Sequence, residues 1–271
     1  RNPPHLWSRG LGDVYTRQTD STISEAKRLF EKLDRPNVMM KVPATDEGIP
    51  AVHKLIGEGI NVNVTLLFSL DAYSQIRQAY IAGLEDLGWS SKRLNGVASV
   101  ASFFVSRVDT SVDGQLNDKA EQCSVDVEAL LGQAAIANAK LAYQAFQKDF
   151  NGSRFEILQS KGARAQRPLW ASTSTKNPSY SDVLYTDALI GPNTVDTMPD
   201  ATLEAFLDHS TVADTISHGV DNAKSLFDSL MEKGIDIDKV TSGLLSDGVK
   251  AFSDSFDSLI DNIDQKRLAL T

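Results

Sequence analysis

The chain has 271 residues, 41% hydrophobic and 23% charged, with a formal net charge of −9. This is ordinary globular composition with ample material for a core, and its acidic balance argues against nucleic acid as the main partner while leaving room for a small anionic substrate. A single cysteine, Cys123, excludes an internal disulfide and fits a reducing, cytoplasmic setting; four scattered histidines predict no metal site, and no apolar run or leader predicts a membrane span or a signal peptide.

In chain order, residues 1–19 are irregular, broken by Asn2-Pro3-Pro4 and Gly10-Leu11-Gly12. A helix is expected from Thr22, where Thr22-Ile23-Ser24-Glu25 has the capping-box pattern and Ile23, Ala26, Leu29, Phe30 and Leu33 follow at helical spacing. Asp34-Arg35-Pro36-Asn37 ends it, and Val38-Met39-Met40-Lys41-Val42 reads as a buried strand. A helix over Ile49 to Glu58 and a strand over Ile60 to Leu66 come next. They are followed by a helix over Leu70 to Leu87 and a strand over Val97 to Phe104. A long helix is expected from about Asp126 to Phe150, with Phe155 to Leu158 continuing it or belonging to the same unit. Weaker strands are Leu169 to Ser172 and Asp187 to Ile190, and from Leu203 the tail reads as mostly helical. Strands alternating with helices of this length mean parallel β/α units. About five strands are countable, which suits a doubly wound sheet as well as part of a closed barrel needing roughly thirty residues per unit.

The chemistry gathers where these strands end. An ammonium buried at Lys41 would have its charged form disfavoured, giving a nucleophilic amine suited to Schiff-base formation. The bland alternative is a lysine that ends a strand and reaches into solvent. In Ile60-Asn61-Val62-Asn63-Val64-Thr65, alternation puts Asn61, Asn63 and Thr65 on one face, either lining a pocket or wetting an edge strand. Ser102 is small enough to touch a bound carbon chain. Arg107 follows it where the strand opens into its loop and suits bidentate phosphate contact, unless it pairs with Asp109 on the surface. Hydroxyls and amides of Ser172-Thr173-Ser174-Thr175, followed by Lys176, could hold a phosphate.

Four segments together resemble the transaldolase family, and most closely its longer bacterial type, also found fused to glucose-6-phosphate isomerase. They are Lys41-Val42-Pro43-Ala44-Thr45, Asn61 to Phe68, Ala101 to Arg107 and Trp170 to Pro178. They occur in the family's order, with its 22-residue step from Lys41 to Asn63, and the resemblance runs from about Thr22 to the C-terminus. It implies an α/β chain of the (β/α)8 TIM-barrel family with a helical C-terminal tail. It also implies an N-terminally incomplete barrel, with roughly the last five β/α units and the C-terminal helices in residues 20–271.

The activity implied is transfer of a dihydroxyacetone unit between sugar phosphates through a lysine Schiff base, without metal or cofactor. Sedoheptulose 7-phosphate and glyceraldehyde 3-phosphate would give erythrose 4-phosphate and fructose 6-phosphate, in the pentose phosphate pathway. By the resemblance, Lys41 is the Schiff-base lysine, Thr65 holds the catalytic water and Asn63 hydrogen-bonds the bound three-carbon unit. Ser102 lines the pocket, and Arg107, Ser172 and Lys176 bind phosphate, Lys176 standing roughly where other branches use arginine. Sugar phosphates are the expected partners, with no nucleic acid or membrane, and a homodimer is compatible with this reading. The family's proton-transfer Asp and Glu are not recognisable; Asp13 in Gly12-Asp13-Val14 is the nearest carboxylate. Two alternatives therefore stand beside transaldolase: a Schiff-base fructose-6-phosphate aldolase-type lyase, and a non-catalytic fragment lacking its acid/base carboxylates.

Overall fold

A computed structural model describes residues 18–89, 94–123 and 127–269, with the backbone alone for residues 122 and 123. The irregular segment expected over residues 1–19, Asp13 and the side chain of Cys123 thus lie almost wholly outside the described residues. Five parallel strands form one sheet in sequential order: β1 (Met40–Pro43), β2 (Val62–Leu67), β3 (Ser99–Phe104), β4 (Arg167–Ala171) and β5 (Val195–Asp196). Sequential parallel order with helical crossovers is the arrangement of a β/α barrel wall rather than of a doubly wound sheet, whose order reverses at a switch point.

The helices are α1 (Thr19–Leu33), α2 (Gly48–Glu58), α3 (Leu70–Trp89), α4 (Ser106–Cys123), α5 (Ala134–Phe150), α6 (Ser153–Gln159), α7 (Leu184–Ala188), α8 (Asp200–His209), α9 (Val220–Glu232) and α10 (Ile237–Ala269). The large apolar cluster lies between the helices and the outer sheet face, where Val42, Val62, Val64, Ala101, Phe103 and Trp170 are buried. Phe103 and Trp170 meet edge to face at 6.1 Å, and the Trp170 indole N–H donates to Leu189 O at 3.1 Å. A second, smaller cluster of Val100, Leu169 and Ala171, with Met39, Phe104 and Val195 against it, marks the inner face. Alternation then assigns Lys41, Asn63 and Ser102 to that same inner face.

Local chemistry explains most boundaries and corrects several expectations. Gly59, at φ 91, closes α2 with its N–H on Ile56 O and Leu55 O, a left-handed cap that glycine adopts without strain. Thr22 does not cap α1: the helix begins at Thr19, and Thr22 is buried within it. Asn61 precedes β2 instead of lining a pocket. It is buried, its side-chain amide donates to Pro36 O and Val38 O, and its Oδ1 accepts from Ala98 N–H. Helix α4 lies where no element was expected, whereas the helix expected from Asp126 begins at Ala134 after a 3-10 turn over Glu128–Leu130. The segment Asp187 to Ile190 is not a strand. It overlaps the end of α7, and the fifth strand is Val195–Asp196.

Candidate active site

Two groups of predicted residues lie, one along the inner face of the strands and one just beyond their C-terminal ends. The first is strand-borne. Lys41 of β1 and Asn63 of β2 are register partners, and the Ser102 hydroxyl of β3 donates to Asn63 Oδ1 at 2.7 Å. Thr65, register partner of Pro43, is 4% exposed, and its Oγ1 has no hydrogen-bond partner among the described residues. A buried hydroxyl without a partner is uncommon because its desolvation goes uncompensated, and such groups tend to mark a site where a ligand or water engages them. Strand β2 also carries a bulge: Val64 pairs with Ala101 and Leu67 with Phe103, so that Thr65 and Leu66 together oppose Ser102 alone. Leu66 takes up the extra length in a left-handed conformation, φ 58, a strain of the kind that clusters at functional sites.

Lys41 departs from expectation. It is exposed, not buried, because β1 has no strand on its outer side among the described residues. Its Nζ makes no hydrogen bond or ion pair with a described residue and lies over the Phe252 ring of α10, 5.8 Å from the centroid. The first half of α10 reaches the same mouth of the sheet. Thr241 and Leu245 join Ala44, Leu66 and Phe68 in lining a cleft of about 390 Å³.

The second group is borne by a loop and a helix end. The β3–β4 ladder continues past the strands, with Val105 N–H on Ala171 O and Ser106 N–H on Ser172 O, and this sets the Ser106 and Ser172 hydroxyls 2.9 Å apart. Ser172 is the second non-glycine residue of the site with a left-handed backbone, at φ 59. Arg107, the second residue of α4, is exposed, and its guanidinium lies over the Phe104 ring at 5.4 Å. An arginine at a helix N-terminus beside a hydrogen-bonded pair of hydroxyls can take an anion. Lys176 is exposed on the loop after β4 and donates to Ser174 Oγ at 3.0 Å.

The surface pair of Arg107 with Asp109 does not form. Asp109 is buried, accepting from Ala135 N–H at 2.7 Å and from the Tyr185 hydroxyl at 2.9 Å. Burial outweighs these bonds and pushes its carboxyl up to about 6. One turn on, Asp113 accepts from Gly132 N–H at 3.0 Å and from the Tyr180 hydroxyl at 2.7 Å. Two carboxylates of α4 thus grip the start of α5 and both ends of the segment that follows the Lys176 loop. Thr173 is fixed separately, donating to Asp196 Oδ1 at 2.8 Å, with the Asp196 carboxyl also pushed up to about 6 by burial. Asp113, Tyr180, Tyr185 and Asp196 escaped the sequence reading. The four-residue step from Asp109 to Asp113 on an otherwise apolar helix face was the one available signal. Among the described residues no three His, Cys, Asp or Glu side chains form a metal-binding group, and no helix is long and apolar enough to cross a membrane.

A family model described as Transaldolase/Fructose-6-phosphate aldolase matches residues 13–263. A transaldolase of Trichodesmium erythraeum is 46% identical over 262 residues, covering 94% of this chain and 69% of the relative. Transaldolases of a Parafrankia species and of Saccharopolyspora erythraea are 48% and 47% identical, covering 91% and 90% of this chain and 66% of each relative. The chain thus spans about two thirds of the length of the curated relatives it matches. With a match of that extent and five sequential parallel strands of the barrel type, the chain belongs to the transaldolase/fructose-6-phosphate aldolase family.

Proposed function

We propose that the chain acts as a transaldolase, passing a dihydroxyacetone unit from a ketose phosphate to an aldose phosphate on Lys41. Sedoheptulose 7-phosphate with glyceraldehyde 3-phosphate would give erythrose 4-phosphate and fructose 6-phosphate, in the pentose phosphate pathway and in the cytoplasm. The observation that carries this reading is the inner-face row, on adjoining strands, of Lys41, the Asn63–Ser102 hydrogen bond and the Thr65 hydroxyl, which has no partner among the described residues.

In this mechanism the Lys41 amine adds to the C2 carbonyl, and the carbonyl oxygen leaves as water to give an iminium. The C3–C4 bond then breaks, its electrons flow into the iminium to form an enamine, and the C4 hydroxyl loses its proton as the aldose phosphate departs. Asn63 holds the hydroxyls of the three-carbon unit, Ser102 orients Asn63, and Thr65 holds a water that moves the proton. Arg107, with Ser172 and Lys176, takes the phosphate. No metal or organic cofactor is called for, since the imine itself is the electron sink.

The test is direct. Incubation with fructose 6-phosphate followed by borohydride should leave a mass adduct on Lys41 that is lost in Lys41→Met. Well-folded protein without an adduct would remove the proposal. A second reading, aldol cleavage with release of the three-carbon unit to water, is favoured by the exposure of Lys41. Free dihydroxyacetone accumulating without an acceptor aldose would select it.

A further inference from the structure

The mechanism leaves Phe252 unused, although its ring is the described neighbour of the reacting nitrogen. This phenylalanine is 47% exposed, midway along α10. An exposed aromatic ring facing an otherwise unpaired amine is held there for a reason visible in the packing. Four residues earlier, Gly248 is buried against Leu66 so closely that a Cβ at that position would lie 2.9 Å from Leu66 Cδ2. Leu66 is the bulge residue directly after Thr65. One close contact therefore ties the strand that carries Thr65 to the helix turn that carries Phe252.

We propose that Phe252 is a catalytic residue that stabilises the positive charge on Lys41 Nζ when the imine forms. The inference rests on the Lys41 reading above. The physical basis is the ring quadrupole, negative on its face, which attracts a cation and gains little from the neutral nitrogen of the carbinolamine. When the carbinolamine expels hydroxide, as water after protonation, Nζ turns from a neutral amine nitrogen into an iminium. The ring then favours the product side of that step, and it covers the nitrogen from one side. At an exposed site such an interaction shifts the balance about two- to five-fold. Tyrosine keeps the ring face, whereas leucine keeps apolar bulk without the quadrupole.

The experiment compares the wild-type chain, Phe252→Tyr, Phe252→Leu and Phe256→Leu, the last removing a ring one turn further along the same helix. Each is assayed for borohydride-trapped Lys41 adduct at saturating fructose 6-phosphate and for kcat, with folding checked by circular dichroism. The expected result is wild-type behaviour for Phe252→Tyr and Phe256→Leu, and a two- to five-fold loss of both adduct and kcat for Phe252→Leu. Wild-type behaviour of Phe252→Leu would overturn the proposal. So would equal losses in Phe252→Tyr or in Phe256→Leu, which would assign the effect to packing of the helix. Wild-type protein that gives no adduct would instead overturn the Lys41 reading and take this proposal with it.

Discussion

The strand-borne group and the loop-borne group of the candidate site are held in place by different physics. Lys41, Asn63 and Ser102 sit on consecutive parallel strands, so the main-chain ladder fixes their spacing and needs only one side-chain bond, Ser102 to Asn63, to finish the job. Arg107, Ser172 and Lys176 lie beyond the strand ends, and no ladder reaches Lys176. Its loop is held instead by the Thr173–Asp196 bond on one side and the Tyr180–Asp113 bond on the other. A ladder is spread over many bonds and survives the loss of one side chain. A loop hung on two part-buried side-chain bonds does not, and that difference can be measured.

The largest effect is expected at Thr65. Thr65→Val removes only a hydroxyl that has no described partner, so stability should hold or rise slightly, while kcat should fall by about a hundred- to ten-thousand-fold if that hydroxyl handles the transferred proton. Equilibrium unfolding set beside steady-state rates separates the two, and unchanged kcat would leave the strand-borne group without its catalytic hydroxyl.

An intermediate effect is expected for Tyr180→Phe, which leaves Asp113 short of a donor at a buried position. We expect a loss of about 1–3 kcal/mol in unfolding free energy. KM for fructose 6-phosphate should rise several-fold at nearly constant kcat, because the loop is loosened while Lys41 is untouched. Equal losses on phosphorylated and unphosphorylated ketoses would show that the loop does not serve the phosphate.

The smallest effect on catalysis, and the most specific to the loop side, concerns pH. Asp109 and Asp196 are both raised to about 6 by burial, so the folded state binds protons more tightly than the unfolded chain between about pH 4 and 6. These groups make the protein less stable as pH rises through that window, with no further change above it. Asp109→Asn should remove on the order of 2 kcal/mol of that slope, measured by urea unfolding at pH 4.5, 5.5 and 6.5. An unaltered slope would mean that Asp109 does not titrate there.

The same contrast explains what could be read in advance. The strand-borne residues were legible because period-two alternation and four ordered motifs both bear on them. The boundaries of α2 and β2 were nearly right because Gly59 is a strong stop signal. Helix α4 was missed although Val108, Val112 and Leu116 recur every four residues and are buried; the polar stretch between them hid the pattern. Asp187 to Ile190 reads as a strand in the sequence because a short apolar run carries no periodicity that separates strand from helix. The Tyr–Asp bonds of the loop side join residues 67 and 76 positions apart, and no local pattern encodes a partner at that distance. The burial expected of Lys41 failed for a related reason: it depends on what covers the strand, not on the strand itself.

The bulge in β2 has one more consequence. That strand holds one residue more than its neighbour over the same span, and the surplus, Leu66, is turned out of the ladder as a knob on which Gly248 is seated. Shortening the strand by that single residue would let Thr65 keep Ser102 opposite it and Leu67 keep Phe103, leaving an even sheet. The tail helix would lose its seat, and with it the aromatic ring beside the amine. Integrity of the sheet and attachment of the tail are thus separable by one deletion, because a mismatch in length between two adjacent strands is what joins them.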